Sequence, residues 1–134
     1  MQQIAQLTIV VRDYDEAIEF YTEKLGFRLL EDTKTSETKR WVRVVPPGST
    51  CALLLAKAAT PEQESSIGNQ SGGRVFLFLH IDDFDQYYTR LQSHGIVFEG
   101  EPREEEYGKV VVFADLYGNK WDLVEPRVNS SDRS

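Results

Sequence analysis

The sequence predicts an α+β protein of two tandem β-α-β-β-β modules whose curved sheets pair around a cavity. Three observations carry this prediction. The chain repeats itself at a shift of 70 positions, so that Gln6-Leu7-Thr8-Ile9-Val10-Val11-Arg12-Asp13-Tyr14-Asp15-Glu16 lies over Phe76-Leu77-Phe78-Leu79-His80-Ile81-Asp82-Asp83-Phe84-Asp85-Gln86. Gly48 then lies over Gly118, and Leu53 over Leu123, at the same shift. Few positions are identical, but an apolar run, an Asp-aromatic-Asp triplet and an amphipathic segment return in one order, which duplication explains better than chance. In each half a helix-capping pattern follows the apolar run, and three strand-like stretches follow the helix.

Taken in order, Ile4 to Val11 is a short β-branched apolar run, the signature of a mostly buried strand. Asp13 opens a helix, since its carboxylate can accept from the unpartnered N–H groups of the first turn and Glu16 stands three residues on. Ala17, Ile18, Tyr21 and Leu25 recur at helical spacing, and Gly26 suits the residue that ends the helix. Strands are predicted near Phe27–Glu31, Arg40–Val45 and Cys51–Ala56. The second half repeats the device. Asp83 and Gln86 form the box, Tyr87, Tyr88 and Leu91 point inward, Gly95 terminates, and strands follow near Val97–Glu99, Lys109–Ala114 and Lys120–Val124. The expected organisation is one domain over 1–126, with module one at about 4–56, a linker at 57–73 and module two at about 74–126. Lys57 to Gly73 lacks apolar periodicity and reads as loop, and the polar tail from Arg127 to Ser134 reads as disordered.

Composition bounds the function. At 134 residues, about two-thirds of the unfolded surface can be buried, so a core forms without staples. The net charge of −7 argues against nucleic acid and anionic membrane as partners, since both demand clustered cations. No apolar run approaches the roughly 20 residues of a membrane span, and Met1-Gln2-Gln3 does not begin a signal pattern. The single Cys51 fits a reducing, cytoplasmic compartment. It falls in a predicted strand and reads as a small core residue.

The segment from Gln6 to Phe27, with its Asp13-Tyr14-Asp15-Glu16 and Phe20-Tyr21-Thr22-Glu23-Lys24-Leu25-Gly26-Phe27, resembles the opening module of the vicinal oxygen chelate superfamily. That group includes glyoxalase I, extradiol dioxygenases, fosfomycin-resistance proteins and bleomycin-binding proteins. Asp115-Leu-Tyr-Gly-Asn-Lys-Trp-Asp-Leu-Val-Glu-Pro126 resembles its second signature. The resemblance covers residues 4 to 126 and is specific for the fold, whereas activity differs among members and must be argued from the site. It implies a small-molecule partner, a homodimer and, in catalytic members, a divalent metal (Fe, Mn, Ni or Zn) held at four corners of the cavity. Mapped by motif, those corners are Gln6, Ala52, Phe76 and Asp122. Gln6 and Asp122 can ligate a metal, while Ala52 and Phe76 cannot.

Two classes of function follow. The first is a glyoxalase-like or dioxygenase-like protein taking a small oxygenated or aromatic molecule, with Gln6 and Asp122 as ligands and Asp122 and His80 in catalysis. Alternation puts His80 on the face of Phe76, two strand steps along. The second is a non-catalytic, metal-free binder of a drug or antibiotic. There Phe76 and Trp41 are apolar walls, Arg43 is an anion anchor sharing Trp41's face, and Tyr107 reaches over the pocket mouth from the Arg103–Gly108 loop. His94 before Gly95 is explained by a helix C-terminus.

Overall fold

In a computed structural model that describes residues 1–127, the chain divides into two units, Met1–Gln70 and the part from Ser71 on. Each is built on its own four-stranded mixed sheet, so the protein is α+β with two tandem modules. The boundary falls inside the expected linker. Of the expected tail, all but Arg127 lies outside the described residues. No helix among the described residues is long and apolar enough to cross a membrane.

The first unit runs β1 (Gln6–Val11), α1 (Tyr14–Glu19), β2 (Arg28–Lys34), β3 (Arg40–Val45), β4 (Ala52–Lys57) and α2 (Pro61–Ser66). Its strand order is β1-β4-β3-β2, with β1 parallel to β4 and the other pairs antiparallel. The β-branched runs bury Ile9, Val11, Val42 and Val44 beside Leu53 and Leu55. Each such side chain contributes about 1.5–3 kcal/mol relative to exposure, which is why these segments hold the sheet together. Asp13 caps α1 as its position predicts, accepting from the Glu16 N–H at 2.9 Å. The helix then widens into one π-helical turn over Phe20–Lys24. That turn coincides with two consecutive buried rings, Phe20 and Tyr21, packed edge to face with centroids 5.3 Å apart.

Two features of the first unit depart from the sequence reading. The supposed loop after Lys57 contains α2, capped by the Thr60 hydroxyl, which accepts from the Gln63 N–H at 3.2 Å, with Pro61 in the first turn. The cap signature was present, but a six-residue helix with no buried residue shows no apolar period. Cys51 precedes β4 instead of lying in it and is half-buried, so it is not a core residue. Farther along, Gln70 extends the edge strand β1. Its Oε1 accepts from Val10 N–H at 2.7 Å and its Nε2 donates to Thr8 O at 3.0 Å, replacing a missing strand neighbour.

The second unit runs β5 (Val75–His80), α3 (Phe84–Ser93), β6 (Val97–Glu105), β7 (Gly108–Ala114) and β8 (Lys120–Pro126), in the order β5-β8-β7-β6. Asp83 caps α3 by accepting from the Gln86 N–H at 3.1 Å, and Glu125 on β8 accepts from the Phe84 N–H at 2.8 Å. His94 stands at the helix C-terminus, as expected. The strand β6 is longer than predicted. It continues past an irregularity between Glu99 and Arg103, so the expected loop Arg103–Gly108 contracts to a turn at Glu106 and Tyr107. A strand with charges at successive positions defeats a reading based on apolar alternation.

Candidate functional site

In the second unit, Asp122 stands between the buried Trp121 and Leu123 on β8, so alternation turns it to the opposite face of the sheet. It pairs with Phe78 on β5 and Val112 on β7, and Val112 pairs with Glu99. Phe78 is 64% exposed, so the carboxylate has an aromatic surface on one side. Burial pushes the Asp122 carboxyl up from its ordinary value, and the nearby Arg103 guanidinium pulls it partly back. His80 is exposed one step along β5, pairs with Val124 and forms no hydrogen bond to Asp122 among the described residues. Phe78, not His80, stands beside the carboxylate.

The raised carboxyl gives a prediction. A carboxylic acid whose folded-state pKa lies above its unfolded value costs stability at neutral pH, and that cost is gone once pH falls below the unfolded value of about 3.8. Asp122→Asn is therefore expected to melt slightly above the parent at pH 7 and level with it below pH 3.8. Thermal melts across that range test it; a parent more stable than the variant at pH 7 contradicts it.

The first unit carries a cavity of about 460 Å³ at the end of its sheet where β3 begins and β4 ends. Trp41, Leu54 and Ala56 share its wall with Tyr14 from α1, Thr35 and Thr38 from the β2–β3 hairpin, and Gln63 from α2. Trp41 is 38% exposed there. Arg40 holds this end together. It donates to Asp32 through Nε (3.0 Å) and Nη2 (2.7 Å), pairs with Asp15 through Nη1 at 3.0 Å, and lies 5.1 Å from the Tyr14 ring centroid. The hydrogen bond from Arg40 holds the Asp32 carboxyl below its ordinary value.

Arg43, expected as an anion anchor, is engaged within its own sheet. Its Nε and Nη2 both donate to Glu31 Oε1, at 3.3 and 3.2 Å, across the β2–β3 ladder, and it does not line the cavity. The cations that do line it are Lys39, Arg40 and Lys57. No sequence signal marks Lys39 or Lys57, because a hairpin lysine and a strand-end lysine carry no local pattern. Tyr107 is 52% exposed in the β6–β7 turn, and Phe76 is half-buried on β5, both in the second unit.

A family model described as Glyoxalase/Bleomycin resistance protein/Dioxygenase superfamily matches residues 3–123. The chain belongs to that superfamily. It is 58% identical over 126 residues to an uncharacterized protein of Shewanella frigidimarina (strain NCIMB 400), covering 92% of this chain and 93% of the relative. Among solved structures it is similar to UcmS2, with 31% identity, a TM-score of 0.81, and coverage of 93% of this chain and 98% of the other. It is also similar to TnmS3, an antibiotic binding protein from Streptomyces sp. CB03234, with 30% identity, a TM-score of 0.77, and coverage of 95% and 98%.

Members of the superfamily that use a divalent metal need several donors, and catalytic sites normally offer about three protein ligands. Strand pairing corrects one of the expected corners. Ile9 pairs with Leu55, and its counterpart Leu79 pairs with Leu123. The residue preceding Leu123 is Asp122, so its counterpart in the first unit is Leu54, not Ala52; Ala52 pairs with Gln6. Phe76 stands at an irregularity between Val75 and Leu77. Leu54 is as unable to bind a metal as Ala52, so the donors are still one amide, Gln6, and one carboxylate, Asp122. That carboxylate has a guanidinium close enough to shift it, and a neighbouring cation disfavours a second one. No group of three or more His, Cys, Asp or Glu among the described residues is placed to hold an ion. The donor set does not fit the family's metal.

Proposed function

We propose that this superfamily member is a metal-independent binding protein for a small aromatic molecule and performs no metal-centred chemistry. The observation that carries this reading is the donor set. Leucine and phenylalanine stand where ligands are needed, and two weak donors cannot hold a catalytic ion. The Trp41-walled cavity supports it, because about 460 Å³ suits a drug-sized guest and an exposed indole offers a stacking surface. The likeness to TnmS3, itself an antibiotic binding protein, supports the same class. In this reading neither His80 nor Asp122 acts as a proton carrier. A homodimer in the cytoplasm accompanies it, the first from the family resemblance and the second from the single Cys51.

Calorimetric titration of untagged protein with Mn²⁺, Fe²⁺, Ni²⁺ and Zn²⁺ tests the reading. The expected result is no stoichiometric binding at high micromolar metal, in the parent and in Asp122→Ala alike. Stoichiometric binding that Asp122→Ala abolishes overturns the proposal in favour of a glyoxalase-like or dioxygenase-like centre on Gln6 and Asp122.

A further inference from the structure

The geometry points to the class of guest taken by the first unit: a flat aromatic bearing an anionic group, its ring against Trp41 and its charge between Lys39 and Lys57. This rests on the metal-independent binding reading and adds a place and a charge to it. The sign of the cavity lining sets the charge of its guest. In a chain of net charge −7, every charged side chain lining this cavity is a cation: Lys39, Arg40 and Lys57. The charge of Arg40 is offset by Asp32 and Asp15, so the surplus positive charge facing this partly apolar hollow is that of the two lysines, which attracts an anion and repels a cation.

Two of these three cations are available to a guest. Arg40 is committed to Asp32 and Asp15, and removing it from them for a ligand would leave two carboxylates unpaired. Lys39 and Lys57 make no ion pair among the described residues. An adjoining hollow of about 310 Å³ shares both lysines and is also lined by Asp13 and Glu37. Those carboxylates are occupied, Asp13 by the Glu16 N–H at 2.9 Å and Glu37 by Lys34 at 3.9 Å. Lys39 immediately precedes β3 and Lys57 ends β4, so the antiparallel pairing of Val42 with Leu55 brings both to one end of the sheet. Trp41, two residues on from Lys39, lies against the same space.

Naphthalene-2-carboxylate and its uncharged amide serve as probes, titrated into EDTA-treated protein by calorimetry and by quenching of Trp41. Trp121 is 3% exposed and stacked on Phe113, so a probe in the cavity is read from Trp41, with Trp41→Phe as control. The carboxylate is expected to bind about tenfold more tightly than the amide, the scale of two exposed charge contacts. The double variant Lys39→Gln/Lys57→Gln is expected to erase that difference and leave the amide unchanged; both lysines are exposed, so the fold is kept. Equal binding of the two probes, or equal weakening of both in the double variant, overturns the anionic assignment while leaving metal-independent binding intact. Binding that appears only after Mn²⁺ or Zn²⁺ is added overturns both.

Discussion

Asp115→Ala is expected to lower the stability of the protein by about 3 kcal/mol, a large part of the 5–15 kcal/mol typical of a domain. The reason lies in one turn between β7 and β8. Asp115 Oδ1 accepts from the backbone N–H groups of Tyr117 and Asn119, both at 2.9 Å, while Oδ2 accepts from Asn119 Nδ2 at 2.8 Å. Asp115 and Asn119 are 6% and 2% exposed, so water cannot replace the lost acceptor at Asn119. Each buried donor left unmet costs about 1–3 kcal/mol. Asp115→Asn is expected to recover about half the loss, because its amide oxygen replaces one acceptor and its NH₂ meets the Asn119 NH₂. Urea unfolding measures both, with midpoints shifted and slopes unchanged. A loss under about 1 kcal/mol for Asp115→Ala contradicts this account. The point bears on function, since this turn is the Asp-x-x-Gly-Asn signature by which the superfamily is recognised. In this protein the signature is a scaffold for β8, which explains how it accompanies unrelated activities.

The same distinction marks what was legible in the sequence. The two modules could be read from the repeat, and both caps from Asp13 and Asp83, because these are local patterns whose physics is complete within a few residues. Pairing register was not legible. Shifting β8 by two residues keeps every side chain on its face, so alternation fits Ala52 and Leu54 equally well as the counterpart of Asp122. Only the ladder, with Ile9 on Leu55 and Leu79 on Leu123, decides between them. The ion pair of Arg43 was not legible for a related reason. Its partner Glu31 lies across a hairpin, and which carboxylate meets which guanidinium depends on the bulge between Leu29 and Glu31. The cavity's lysines were invisible because Lys39 and Lys57 meet only through the sheet, and neither residue carries a pattern by itself. Trp41 was legible as a candidate wall, since an indole in an alternating strand has one of two faces to occupy.

Gly108→Ala is expected to be at least as damaging as the loss of Asp115, at about 3 kcal/mol or more. Nothing in the local sequence announces this, because Gly108 follows a run of charged residues and reads as one more turn glycine. In the structure it opens β7 with φ +150°, against β8. A Cβ built there presses into the backbone carbonyl oxygen of Glu125 and stands 3.0 Å from its carbon and 3.1 Å from Arg127 N. The obstacle is backbone, so no rotamer relieves it. Nor can β8 swing away freely, since Lys109 pairs with Glu125, Gly108 with Pro126, and the Arg127 N–H donates to Tyr107 O at 2.8 Å. Gly100→Ala separates close approach from backbone conformation. Gly100 also has positive φ, +82°, but a Cβ there meets nothing within 4 Å, so that variant is expected to lose only the 1–2 kcal/mol of a left-handed residue. Urea midpoints of the two variants measured side by side decide the matter. Equal losses would mean that strain alone accounts for Gly108; a larger loss at Gly108 establishes that β7 and β8 approach as closely as only glycine allows.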